Sequence, residues 1–543
     1  MKTRPVRDTN RPLRKTEQAA MTTAGTTAPT ATASRIRAPA SAGLAGTAAL
    51  TACLAVLSTL WTKVPFVPVN IAQRVVRATS GQVNSFFIDR LGHWAQRLAL
   101  LGTCVGFVVA GVLAGVVVRA LAGERTRGSA LWWVSFLPFW MVSVGLYVAY
   151  PQSLGRLPFA FVTLPLYVAA GGAARWVHER ITTPPSRQAT ELTRRFFLRS
   201  VLLGAGAVAF GVADLGRLLY RRRDPGLDPL HLSNVTEAAL PSPAPGDAAF
   251  DDIVGLTPLV TSTAHHYVVD EELIDPDIDP EAWRLRVGGL VYHPLELTYA
   301  DLKAFPAIER FQTLECISNK IGQRLISTAK WTGVPLHLIL ERAGVQAGAV
   351  EVVFSAAGGY SDSLPVAKAM DESTLIATGM NGNVLPRAHG FPARLLSTGT
   401  YGMKNPKWLE AIDVVDRPYQ GFWEQRGWVK AAIVNTGSRI DVPINHALLP
   451  ATVTVAGIAF AGERGISKVE VSTDDGATWN EADLRSELSP FVWRQWRYEW
   501  APTQGDHVVL VRATDGEGAT QTMQVAGTFP SGATGYDGIE VSR

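Results

Sequence analysis

The charge of this chain changes sign near residue 223. Residues 1–223 hold 27 Lys and Arg against 7 Asp and Glu, a net of +20, and residues 224–543 hold 24 against 40, a net of −16. Four apolar stretches, 41–61, 98–118, 131–150 and 157–176, lie in the basic part. Each has about 20 residues, enough to cross roughly 30 Å of hydrocarbon as a helix. A fifth, 201–219, is rich in Gly and Ala and interrupted by Asp214. Taken as five spans, they leave 17 Lys and Arg on one side (1–40, 119–130, 175–200) and 6 on the other (62–97, 151–156). Cationic loops stay in the cytoplasm, so the pattern predicts a multi-pass protein of the cytoplasmic membrane. Its N-terminus is cytoplasmic and everything after the fifth span is extracytoplasmic. Arg221, Arg222 and Arg223 run against this trend. The acidic part argues against nucleic acid as a partner, since phosphate binding draws on Lys and Arg.

Thr193-Arg-Arg-Phe-Phe-Leu-Arg199 precedes the weak fifth stretch and resembles a twin-arginine export signal. Such export carries folded proteins, which suits a cargo that takes up a cofactor before it crosses. The domain plan is a disordered tail over 1–40, a transmembrane α-helical domain over 41–220 and a linker over 221–250 containing Pro241-Ser-Pro-Ala-Pro-Gly246. Residues 251–430 alternate strand-like runs (283–287, 351–355, 394–396) with a helical pattern at 336–343, predicting an α+β domain. Residues 431–543 carry short alternating strands at 452–458, 468–472, 495–500 and 507–513, broken by Asp-Gly turns, which predicts an all-β sandwich.

Cys53 and Cys104 fall in apolar stretches, so Cys316 is the one cysteine of the acidic part. It cannot serve an intramolecular disulfide framework. It is either an inert buried thiol or a nucleophile or soft-metal ligand working as the thiolate. His265 and His266 have no Cys or His partner at zinc-finger spacing, so zinc is not expected.

Four groups of residues give the thiol a context. Leu314-Glu-Cys316-Ile-Ser-Asn319 is followed by Ala329-Lys-Trp-Thr-Gly-Val-Pro-Leu336. Then come Met380-Asn-Gly-Asn-Val-Leu-Pro-Arg387, His389-Gly-Phe-Pro-Ala-Arg394 and Tyr401-Gly-Met-Lys-Asn-Pro-Lys407. Further on stand Val469-Glu-Val-Ser-Thr-Asp-Asp-Gly476, Val511-Arg-Ala-Thr-Asp515 and Gly532-Ala-Thr-Gly535. In this order they resemble the sulfite oxidase family of molybdenum–pterin oxidoreductases, here as a membrane-anchored bacterial member, over roughly 255–540. The resemblance implies a molybdopterin domain followed by an immunoglobulin-like dimerisation domain, hence a possible homodimer. It makes Cys316 the protein ligand to molybdenum, where a soft thiolate tunes the metal. It places His389, Arg394, Lys404 and Lys407 on the pterin and its phosphate, with Gly402 and Met403 bringing backbone N–H groups close. Thr263, His266 and Tyr267 match a further cofactor segment, although Thr263 stands where the family has asparagine and His266 where it has an aromatic.

The departures concern substrate. Sulfite-oxidising members carry two arginines and a tyrosine where this chain has Val269, Ile321 and, by approximate alignment, Trp428. Lys320 or Arg324 could replace the missing charge. The expected reaction is two-electron oxygen-atom transfer at molybdenum on a small molecule other than sulfite. Open alternatives are a reductase of sulfoxide-type substrates, a sulfite dehydrogenase with a rearranged anion site, and a non-enzymatic envelope protein with a degenerate site. His93 and His178 are the only histidines before residue 225 and sit at span edges, so no haem is expected. Electrons then pass to or from a separate carrier or the quinone pool.

Overall fold

A computed structural model describes residues 31–60, 67–79, 94–122, 130–148 and 163–182, isolated positions between them, and nearly all of 224–543. The twin-arginine motif, the fifth apolar stretch and Arg221–Arg223 lie outside the described residues. So do residues 1–30 of the tail and Pro241, Ser242 and Pro243 of the linker. The chain forms two compact units, one of residues 1–54, 106–144 and 160–210, the other of residues 55–105, 145–159 and 211–543.

The helices of the N-terminal region are α1 (Ala31–Leu60), α2 (Val67–Ala78), α3 (Trp94–Ala122), α4 (Leu131–Val134), α5 (Leu137–Val148) and α6 (Leu164–Thr182). The expected tail of 1–40 is shortened, because α1 starts at Ala31. The stretch 131–150, expected as one span, is broken between α4 and α5. Pro138 has no N–H to give the carbonyl of Val134, and its ring crowds that carbonyl. In the first unit the helices approach closely at small residues. A Cβ on Gly43 would lie 2.1 Å from the Gly111 carbonyl oxygen, and one on Gly171 would lie 2.0 Å from that of Trp132. Among the described residues one helix, Leu98–Ala122, is long and apolar enough to cross a membrane, at mean hydropathy 2.4.

The second unit contains two mixed sheets and a sandwich. In the first sheet the order is β1 (Val235–Thr236), β4 (Ala307–Glu315), β5 (Ile326–Pro335), β8 (Leu375–Met380) and β10 (Arg394–Leu396), with β9 (Asn383–Val384) paired to β8. The second runs β3 (Leu295–Thr298), β2 (Arg284–Gly289), β11 (Leu409–Val415), β6 (Glu351–Ala356) and β7 (Ser361–Pro365). Between β3 and β4 lies α7 (Tyr299–Ala304), opened by a capping box of Thr298 and Asp301. Helix α8 (Leu336–Ala343) buries Leu336, Ile339, Leu340 and Ala343, one face at helical spacing. That face joins Leu285, Phe354 and Ile412 of the second sheet and Ile376 and Leu395 of the first in one core. The two sheets are thereby locked around α8, and the C-terminal end of β4 is fixed. Cys316 follows it directly.

The sandwich has two four-stranded antiparallel sheets. One is β12 (Gly437–Val442), β13 (Val453–Phe460), β17 (Arg494–Trp500) and β16 (Asp483–Leu484). The other is β15 (Asn480–Glu481), β14 (Ile466–Ser472), β18 (Asp506–Asp515) and β19 (Asp537–Ser542). Val455, Ala459 and Trp496 from the first meet Val469, Val471, Val509 and Val511 from the second. Alternate inward residues on both sheets produce this core, as period-2 patterning requires.

The linker expected over 221–250 is folded where it is described. Val235–Thr236 adds a parallel edge strand to β4, Asp247 accepts the Ser486 N–H at 2.9 Å, and Phe250 is buried. Burying Phe250 and satisfying the β4 edge outweigh the freedom that the prolines and glycine suggest.

Candidate active site

Cys316 sits at a closed turn. Its N–H donates to the Leu325 carbonyl at 2.9 Å, and its carbonyl accepts the Asn319 N–H at 2.8 Å. The Asn319 side chain braces the turn, taking the Leu325 N–H at 2.9 Å and donating to Glu315 at 2.9 Å. The thiol lies 3.0 Å from the Ser318 hydroxyl. Burial pushes the Cys316 thiol up, Ser318 pulls it down and Glu315 adds to the rise. Burial also raises the Glu315 carboxyl to about 7. A thiol in this setting needs a cation bound to it to become the thiolate, because metal binding displaces the proton.

The thiol opens on a cleft. One part of its lining is cationic and imidazole-rich: His266, His389, Arg394 and Lys407. The rings of His266 and His389 meet edge to face at 5.1 Å. Burial, Arg394 and Lys407 hold His389 down to about 4, and burial with His389 drives His266 well below the usual imidazole range. Arg394 is buried, donates to the carbonyls of His389 (3.1 Å) and Asn405 (3.2 Å), and lies 5.2 Å over the Trp331 ring. Lys407 donates to the Ala388 carbonyl at 2.9 Å and lies 4.3 Å over Trp408. Two neutral imidazoles beside two cations form an anion-accepting surface.

Much of the remaining lining is apolar and aromatic: Val268, Val269, Leu314, Ile317, Met403, Trp423 and Trp428, with Tyr360. Gly402 and Met403 lie in a short turn, and Gly402 has a geometric reason. A Cβ there would stand 2.8 Å from the Tyr267 hydroxyl. Tyr267 is fixed by its N–H, which donates to Ser327 at 3.0 Å.

Eight expected site residues therefore line the cleft: Cys316, His266, Tyr267, His389, Arg394, Gly402, Met403 and Lys407. Two do not. Thr263 stands behind the histidines, its hydroxyl accepting from Asn381 at 3.1 Å and its carbonyl 3.4 Å from His389 Nε2. Lys404 is buried on Asp362 (2.6 Å), Glu424 (2.5 Å) and the Ser363 carbonyl (3.1 Å). All three of its donors are engaged, so it is corrected from a cofactor contact to an internal ion-pair residue. Among the departures, Val269 and Trp428 line the cleft. Ile321 lies with Lys320 in a separate cleft beside Tyr401 and Arg439. Arg324 is 70% exposed and 3.8 Å from Asp441. Neither Lys320 nor Arg324 lines the cysteine cleft.

Sequence reasoning missed Tyr360, Trp423 and Asn405. The Tyr360 hydroxyl donates to the Met403 carbonyl at 2.6 Å, a pairing with no local signal. Asn405 stood inside the Lys404-Asn-Pro motif. Its side chain takes the Ser397 N–H at 2.6 Å and donates to the Tyr401 carbonyl at 3.1 Å, closing the loop that presents Gly402 and Met403.

The model of the oxidoreductase molybdopterin binding domain matches residues 272–423, and that of the Mo-co oxidoreductase dimerisation domain matches 423–527. The mitochondrial sulfite oxidase of Macaca fascicularis is 31% identical over 272 residues, covering 41% of this chain and 50% of that protein. The uncharacterized oxidoreductase YuiH of Bacillus subtilis is 37% identical over 150 residues, covering 28% of this chain and 74% of that protein. An NADH nitrate reductase of Solanum lycopersicum is 28% identical over 322 residues, covering 47% and 35% respectively. The chain belongs to the sulfite oxidase family of molybdopterin oxidoreductases and carries that family's Mo-co dimerisation domain. It spans about half the length of the mitochondrial sulfite oxidase it matches.

The residues present fit a molybdopterin. A thiol lies at one part of the cleft and two cations at another. Among the described residues, His266 Nε2 and Arg394 Nε are buried there with no hydrogen-bond partner. Unpaired buried donors and acceptors are costly, and a polar ligand would satisfy them.

Proposed function

We propose that the chain is a molybdenum–pterin oxidoreductase that transfers an oxygen atom in a two-electron reaction at the outer face of the cytoplasmic membrane. The observation that carries the reading is the cleft itself, which joins Cys316 to His266, His389, Arg394 and Lys407. Cys316 would hold molybdenum, and Arg394 and Lys407 the phosphate-bearing pterin. When bound, the cofactor supplies the two-electron redox chemistry and the oxygen exchange with water. The chain's own residues do the rest. Neutral His266 and His389 supply hydrogen bonds without adding charge. The Ser318 hydroxyl orients the thiolate, and Trp423 and Trp428 exclude water. In the oxidising direction substrate and one water yield oxygenated substrate, two protons and two electrons. The electrons leave to a separate carrier or the quinone pool. The dimerisation domain supports a homodimer, and the charge asymmetry with the Thr193–Arg199 motif supports export.

The substrate proposed is neutral or bulky rather than sulfite. Val269 and Trp428 line the cleft where charge-assisted contacts to an oxyanion would be wanted, and Lys320 and Arg324 lie elsewhere. Two lost contacts of about 1.5–3 kcal/mol each weaken anion binding by about 10²–10⁴-fold. The same apolar lining favours, as a second reading, reduction of sulfoxide-type substrates. Purified protein assayed with sulfite and ferricyanide, and with sulfoxides and a reduced viologen dye, separates the two. Fast turnover of sulfite at low micromolar KM would overturn the substrate reading.

A further inference from the structure

Three charges from three segments meet inside the second unit. Lys404 follows the Gly402–Met403 turn, Asp362 lies on β7, and Glu424 lies in the turn that links Trp423 to Trp428. Their side chains are 3%, 1% and 3% exposed. Each is tied further. Glu424 also accepts the Gly421 N–H at 3.0 Å, and Asp362 the Ser363 N–H at 2.7 Å. The Phe422 N–H donates to the Ser361 carbonyl at 2.8 Å, and the Trp428 N–H to the Trp423 carbonyl at 3.2 Å. Segment 421–428 is thereby fastened to β7 and to the 402–404 turn, both outside it in sequence.

A buried ion triad is a poor way to gain stability, since desolvating three charges costs as much as their attraction returns. Its best-attested use is fixing one arrangement of packed elements. Here the elements joined are two walls of one cleft, the Gly402–Met403 turn and the aromatic wall of Trp423 and Trp428. We propose that Lys404, Asp362 and Glu424 are positioning residues that hold the aromatic wall at a fixed distance from the Met403 wall, so that Glu424 sets the size of substrate the cleft admits. The size readout rests on the oxygen-atom-transfer reading; the wall's rigidity does not.

The test is Glu424→Gln in the full-length holoenzyme, which keeps the side-chain volume and removes the charge. Three quantities are measured: molybdenum per chain, amide hydrogen exchange in the peptide covering 421–428 against one in β18, and KM and kcat for dimethyl sulfoxide and a methyl aryl sulfoxide. Metal content should be unchanged. Exchange at 421–428 should rise about tenfold with β18 unaffected. The KM ratio between the two sulfoxides should shift about fivefold, with kcat within about twofold. Unchanged exchange at 421–428 in a folded variant overturns the proposal. If Glu424→Gln does not fold, the triple variant Asp362→Asn, Lys404→Met, Glu424→Gln replaces it, and failure of that variant to fold also overturns it. Faster local exchange in a protein inactive on every sulfoxide would retire the sulfoxide reading and leave the positioning role supported.

Discussion

His266 and His389 stand edge to face at 5.1 Å, and both are held neutral by burial and the cations around them. Protonating either would put a third positive charge beside Arg394 and Lys407 in a site built for an anion.

The pH dependence follows. His389 has a folded-state value of about 4, below its ordinary 6.5. Its contribution is therefore present above about pH 6.5 and lost as pH falls through about 4, on the order of 3 kcal/mol for this buried group. Denaturant unfolding of the cofactor-free protein should show stability falling with acidification over that window. His389→Gln should flatten the slope, and an unchanged slope would show that His389 titrates alike in the folded and unfolded states.

Cys316→Ser should leave the fold intact, since the turn is held by backbone bonds and Asn319 rather than by the thiol. Activity should be abolished, because oxygen replaces thiolate poorly at such a metal. Elemental analysis of the wild-type protein should give about one molybdenum per chain. Metal-free protein with native activity would contradict the assignment.

Asn405→Ala removes two buried hydrogen bonds at once and strands the Ser397 N–H. A loss of about 1–3 kcal/mol is expected in chemical denaturation. Because Asn405 closes the loop carrying Gly402 and Met403, cofactor retention should fall as well, read as molybdenum per chain. A stable variant with full metal content would show that the loop is held by its other contacts.

Changing Arg194 and Arg195 to Lys should leave the globular part on the cytoplasmic side, if the motif serves twin-arginine export. Protease added to whole cells should then no longer reach it. Unchanged accessibility would leave the topology argument from loop charge standing and discard the export motif.

The sequence alone determined the features that rest on short range. Strand-like runs predicted β6 and β10, alternation predicted β14, β17 and β18, each within a few residues of its ends, and the apolar spacing of α8 predicted its bounds. Cys316 was legible because it is the only thiol of the acidic part. His389, Arg394, Gly402, Met403 and Lys407 were legible through the resemblance of one short segment to the family's cofactor stretch, and all five line the cleft. Tertiary structure decided what depends on partners far along the chain. Lys404 and Lys407 are three positions apart in one motif, yet Lys407 lines the cleft while Lys404 turns to Asp362, 42 positions away. Tyr360 reaches Met403 across 43 positions, and Lys320 and Ile321, close to Cys316 in sequence, fall into another cleft. A side chain's direction within a turn is set by which buried group can satisfy its charge, and that group is chosen by the packing of the whole fold.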